Sequence, residues 1–161
     1  MAFSIYTDGG CSGNPGPGGW AYVIVQDTFQ GPAILAEQCG GEKVTTNNRM
    51  EIQAAISALE ALPSIHFPHS VSSPESVPNK ISLYTDSQYL QKGMTEWLKN
   101  WKNKGWRTAD KQPVKNQDLW QKLDALSSLY SITWIWVKGH AGVEYNERCD
   151  ALTQKAIQSF H

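Results

Sequence analysis

"SLYTD", residues 82–86, decides how this 161-residue chain folds, because "SIYTD", residues 4–8, has already spelled nearly the same pentapeptide. Each stretch reads as part of a short strand, and each ends in an aspartate. If the two strands are parallel neighbours, Asp8 and Asp86 emerge side by side at the carboxyl ends, where open α/β sheets bind ligands. Working outward, residues 3–8 are expected to form a first strand, with 20–25 and 33–39 joined to it by short links as an antiparallel meander. Thr46 or Asn47 then caps a helix running to Leu62, with Ala55, Ala58, Leu59 and Leu62 on one stripe. A strand at 81–86 leads into a helical region from Ser87. Asn116 or Gln117 opens a helix carrying Leu119, Trp120, Leu123 and Leu126. "SITWIWVKGH", 131–140, supplies a last strand that sends Trp134 and Trp136 to the core, and a helix covers 146–160. The expected order is βββαβααβα, an α/β chain with a mixed sheet flanked by helices.

The length fits one domain, residues 1–161, with a core that needs no disulfide or metal staple. No apolar run approaches a membrane span and no basic-then-apolar leader opens the chain, so no membrane partner is expected. Cys11, Cys39 and Cys149 lack metal-ligand spacing and read as free thiols in a reducing compartment, the cytoplasm. A net charge of −1 conceals a polarised chain. Residues 92–115 hold seven basic side chains against Glu96 and Asp110, which is +5, so the remainder carries −6. Residues 63–79, with four prolines and five serines, are expected to form a flexible surface loop, and His66 and His69 in it are read as solvated.

Four carboxylates point toward one place. Glu51 heads the Ala/Leu stripe of its helix and so faces the sheet beside Asp8 and Asp86. Asp150 lies in the first turns of the last helix, beside Cys149 and Leu152. Two charges about 4 Å apart repel by roughly 4 kcal/mol at an effective dielectric of 20, a large part of a domain's stability of about 5–15 kcal/mol. Either some carboxyls hold protons or divalent cations sit among them. Oxygen-only ligands select hard ions, Mg²⁺ or Mn²⁺, and two such ions form the clamp used for in-line displacement at phosphate. The run after Asp8 packs six glycines and two prolines into eleven residues. That composition serves turns at Gly16, Gly18 and Gly19, or lets something large approach the carboxylate closely. It is no Walker P-loop, since no Gly-Lys-Ser/Thr closes it.

The strings "YTDGGCSGNPGPGGW", "TTNNRMEIQAA", "YTDSQYLQKG", "ADKQPVKNQDLW" and "WVKGHAGVEYNERCDALT" resemble, in order and over nearly the whole chain, bacterial ribonuclease H of type 1. The resemblance implies the ribonuclease H-like fold, a five-stranded mixed sheet with one antiparallel strand. It implies endonucleolytic cleavage of the RNA strand of RNA/DNA hybrids, leaving 3′-hydroxyl and 5′-phosphate ends. Asp8, Glu51, Asp86 and Asp150 fall on the family's metal-binding acids, with two Mg²⁺ ions bound alongside substrate, Asp8 bridging them and Mn²⁺ able to substitute. His140, between Gly139 and Gly142, falls on the loop histidine suited to proton transfer or product release.

By the same resemblance, Cys11, Asn14, Asn47 and Gln88 contact the RNA strand, with Gly9, Gly10 and Gly13 letting the backbone near its 2′-hydroxyls. Thr46, Trp97, Trp101, Asn116 and Trp120 contact the DNA strand along the basic segment 92–115. Relatives often carry a basic residue where Val44 stands, and the 63–79 loop is longer than the usual link. A non-catalytic hybrid-binding module, or another nuclease of the fold such as a junction resolvase or integrase, remains as an alternative. The chain is expected to act as a monomer without an obligate protein partner.

Overall fold

The computed structural model describes residues 3–65, 80–138 and 144–161. Five strands, β1 (Phe3–Cys11), β2 (Gly16–Thr28), β3 (Gly31–Thr45), β4 (Lys80–Thr85) and β5 (Ser131–Trp136), form one sheet in the order β3-β2-β1-β4-β5. β2 runs antiparallel to β1 and β3, while β4 pairs parallel with both β1 and β5. This is the expected mixed sheet with one antiparallel strand. The helices are α1 (Asn47–Ala61), α2 (Gln88–Lys92), α3 (Leu98–Asn103), α4 (Gln117–Ser127) and α5 (Glu144–Gln158), with a π-helical turn, Gly93–Trp97, between α2 and α3. Among the described residues no helix is long and apolar enough to cross a membrane.

The repeated pentapeptide pairs with itself in register: Ser4 faces Ser82, Ile5 faces Leu83 and Tyr6 faces Tyr84. Ile5, Ile81 and Leu83 then share the face that buries Ile52, Ala55, Ile56 and Leu59 of α1. α4 adds Trp120 and Leu123 to this main core. On the opposite face α5 packs Cys149 against Val23 and Val25. Thr46 caps α1 as expected, its Oγ1 accepting the Arg49 backbone N–H at 3.3 Å.

Two expectations need correcting. β2 and β3 run well past residues 20–25 and 33–39, because the glycine-rich stretch continues the ladder with Gly18 facing Glu42 and Gly19 facing Gly41. Backbone hydrogen bonds need no side chains, so a composition that reads as turn can still pair. Trp136 is not core. It is 38% exposed at the end of edge strand β5, where its Nε1 donates to the Asp86 carbonyl at 3.0 Å. Trp134 does pack against the main core.

Candidate active site

Asp8 lies on β1, and Asp86 directly follows β4, so the register that aligns Tyr6 with Tyr84 carries both carboxylates to the same end of the sheet. The turn after β4 is fixed by its own side chains. Thr85 Oγ1 accepts the Ser87 N–H at 3.0 Å, and Ser87 Oγ accepts the Leu90 N–H at 3.0 Å to cap α2. Glu51 arrives from α1. A Cβ at Gly9 would sit 2.5 Å from the Glu51 backbone nitrogen and 2.6 Å from the Met50 carbonyl oxygen. The first turn of α1 therefore lies directly on β1, and no side chain can stand between them.

That contact shows what approaches Asp8 within the protein itself. The close neighbour is this protein's own helix, which sets Glu51 beside Asp8. Gly18 and Gly19 are likewise packing positions in β2, against the Gly10 carbonyl and Met50 and under the Thr153 carbonyl of α5, and are not turn residues. Gly13, with φ of +78°, does hold a left-handed turn.

Carboxylate oxygens of Asp8, Glu51 and Asp86 lie within 4.8 Å of one another. Asp8 and Glu51 are buried, and Glu51 Oε2 has no hydrogen-bond partner among the described residues. Burial, then the charges of Asp8 and Asp86, holds the Glu51 carboxyl well above the usual range. Asp150, partly buried on α5, does not join this group of three, so the structure gathers three of the four expected acids. Its neighbour Cys149 donates from Sγ to the Tyr6 carbonyl at 3.1 Å. Burial pushes the Cys149 thiol far up, which leaves it a proton-bearing packing group. His140 lies outside the described residues.

Three of the residues expected at the RNA strand, Cys11, Asn14 and Asn47, lie where the end of β1 meets the start of α1. Asn14 Oδ1 accepts the Asn47 N–H at 3.2 Å, and Cys11 Sγ donates to the carbonyls of Gly16 and Thr45, each at 3.2 Å. Gln88 opens α2 with its side chain exposed.

On the other side, Trp97, Trp101 and Trp106 form a chain of tilted rings with centroid separations of 5.9 and 6.3 Å. A cavity of about 240 Å³ lies among Trp97, Trp101, Asn100, Lys104 and Arg107. Trp120 is a correction: it is fully buried and offers no surface to a DNA strand. α4 pushes its indole against Gly93, where a Cβ would stand 2.7 Å from Trp120 Cζ2, and its Nε1 donates to Tyr89 Oη at 3.2 Å. Trp120 supports the aromatic surface from beneath, with its ring centroid 5.4 Å from that of Trp101.

Sequence reading missed Tyr89 and Arg49. Arg49 Nη1 donates to Asn116 Oδ1 at 3.3 Å, and Asn116 Nδ2 donates to Tyr89 Oη at 3.1 Å. Asn116 precedes α4 with φ of 62°, a left-handed conformation asparagine tolerates. Arg49 also forks onto Asp118 at 2.8 and 3.0 Å, which raises the guanidinium pKa and lowers that of the carboxyl. The one available signal was the cationic Arg49 inside "TTNNRME", between two residues already singled out.

A model of the family described as RNase H matches residues 1–158. The chain belongs to the RNase H family. It is of the bacterial type: a Ribonuclease H from Treponema denticola is 52% identical over 159 residues, covering 98% of each chain. A Ribonuclease HI from Caulobacter vibrioides is 50% identical over 155 residues, covering 96% of this chain and 92% of its own. Among solved structures, LC9-RNase H1, described as a type 1 RNase H with the type 2 active-site motif, superposes with a TM-score of 0.80 at 28% identity. That match covers 99% of this chain and 74% of the other. The RNase H-like fold that the resemblance implied is thus the fold of this chain.

Proposed function

We propose that this RNase H hydrolyses the RNA strand of RNA/DNA hybrids as an endonuclease, leaving 3′-hydroxyl and 5′-phosphate ends. The observation that carries the reading is the convergence of Asp8, Glu51 and Asp86 within 4.8 Å, with a buried Glu51 oxygen lacking a partner. Such a group is costly without a cation and provides the hard oxygen donors that Mg²⁺ or Mn²⁺ prefers. Asp8, Glu51, Asp86 and Asp150 would hold two divalent ions together with substrate. When bound, the ions would neutralise developing charge at phosphate and lower the pKa of the attacking water.

The chain's own residues supply the rest. Cys11, Asn14, Asn47 and Gln88 would orient the RNA strand, where a 2′-hydroxyl distinguishes RNA from DNA. Thr46, Asn116, Trp97 and Trp101 would take the DNA strand, with the lysines of 92–115 drawing in its phosphates. Arg49 and Tyr89 hold the Asn116 amide at both ends and so fix which way it presents its remaining N–H. His140 would move a proton at the leaving group. The three cysteines are free, which suits the reducing cytoplasm.

The test is a gel comparing RNA/DNA hybrid, duplex RNA, duplex DNA and single-stranded RNA, each with Mg²⁺ or chelator. Cleavage of the RNA strand of hybrid alone, lost in chelator, is expected. Binding of hybrid without cleavage at any Mg²⁺ concentration would instead indicate a binding module.

A further inference from the structure

One rung of the sheet crosses four strands: Glu37 on β3 faces Val23 on β2, Val23 faces Tyr6 on β1, and Tyr6 faces Tyr84 on β4. The first half of α5 lies across this rung. The Tyr145 ring rests 5.2 Å from that of Tyr6, Cys149 Sγ donates to the Tyr6 carbonyl, and Cys149 is fully buried. Arg148 reaches the other way, its Nε and Nη2 forking onto the two carboxylate oxygens of Glu37, the Nη2 bond being 2.7 Å.

Successive residues leave a helix about 100° apart. With Cys149 facing the sheet, Arg148 and Asp150 must leave α5 on opposite flanks. Arg148 takes the flank of edge strand β3. Asp150 therefore takes the flank of β1 and β4, the strands that deliver Asp8 and Asp86.

We propose that the Glu37–Arg148 fork is a positioning device that fixes the roll of α5 and so sets how Asp150 meets the three gathered acids. The inference rests on the metal-binding reading of those acids. Cys149 makes one hydrogen bond close to the helix, whereas the fork acts from the side on a longer lever. Thr153 and Ile157 pack the next turns against Gly10 and Gly19, Thr153 meeting Gly19 through its carbonyl oxygen. Both members of the pair are partly exposed, so its contribution to stability is small. Its two-point geometry instead defines direction.

The test uses Glu37→Gln, Arg148→Lys and the exchanged pair Glu37→Arg with Arg148→Glu. Mn²⁺ binding is measured by electron paramagnetic resonance without nucleic acid, alongside the Mg²⁺ concentration for half-maximal hybrid cleavage and the melting temperature in chelator. Each single variant is expected to weaken Mn²⁺ binding and raise the Mg²⁺ requirement by about tenfold. Melting should shift by no more than about 2 °C, and the exchanged pair should recover part of the metal affinity. Unchanged Mn²⁺ affinity in Glu37→Gln overturns the proposal, as does a loss that tracks the melting temperature without recovery in the exchanged pair. If the unaltered protein fails to cleave hybrid, the functional reading falls, and the Mn²⁺ arm still tests the fork.

Discussion

The acid end of the sheet and the tryptophan–lysine segment flank the same helix, α1, yet are held by different forces. At the acid end, position is dictated by backbone: the β1–β4 register fixes Asp8 against Asp86, and direct contact between Gly9 and α1 fixes Glu51. Asp8 and Glu51 there are buried, and with the partly buried Asp86 they form a group of like charges. In the segment from α2 through α3, the side chains hold one another. Rings of Trp97, Trp101 and Trp106 lean together over a buried Trp120, and α3 contributes no buried residue. A centre proposed to hold metal would require rigidity, whereas a surface proposed to grip a sugar–phosphate backbone would tolerate adjustment. Damage at the acid end should therefore remove chemistry, and damage in the aromatic segment should weaken binding.

The largest effect is expected for Asp8→Asn, which should lower hybrid cleavage by at least about a hundredfold. In chelator the same variant should melt above the unaltered protein, because a buried like charge is gone. A melt together with a single-turnover assay checks both signs. Next is Gly9→Ala, whose methyl must push α1 from β1. It should cost about 1–3 kcal/mol of stability by denaturant unfolding, with activity falling beyond what the folded fraction explains. Trp97→Ala should raise KM for hybrid by about tenfold with kcat retained, the loss of one stacking surface. The smallest is Asp124→Asn, which removes the exposed Lys102–Asp124 pair and should change stability by less than about 1 kcal/mol. A Trp97 variant that loses kcat, or an Asp8 variant that loses only affinity, would dissolve the distinction between the two regions.

Much of the acid end was legible in the sequence because its cause is local repetition. Two nearly identical pentapeptides on strands separated by a helix point to parallel neighbours, and the Ala/Leu stripe of α1 points to the way Glu51 turns. The aromatic segment was less legible because interleaved tryptophans and lysines do not say which ring faces inward. Trp120 went under the surface since α4 packs on α1 and Gly93 leaves room for its indole. Trp136 turned out to be exposed because β5 is an edge strand. The glycine run was misread for a related reason. Composition shows that something approaches Asp8 but not whether it is substrate or the protein's own helix. Asp150 stays outside the group of three, and its helix is tied to the sheet through Arg148 by Glu37, more than a hundred residues away in the chain.

The central claim is that the gathered carboxylates need a divalent ion, and Glu51 reports it most directly. Its pKa is raised in the folded protein, so its protonated form favours folding below the ordinary carboxylate range. That stability is lost as pH rises through the raised value. A carboxyl-carbon NMR titration of Glu51 should show it titrating well above the ordinary range in chelator and falling back toward that range in saturating Mg²⁺. The same titration curve with and without Mg²⁺ would contradict the account.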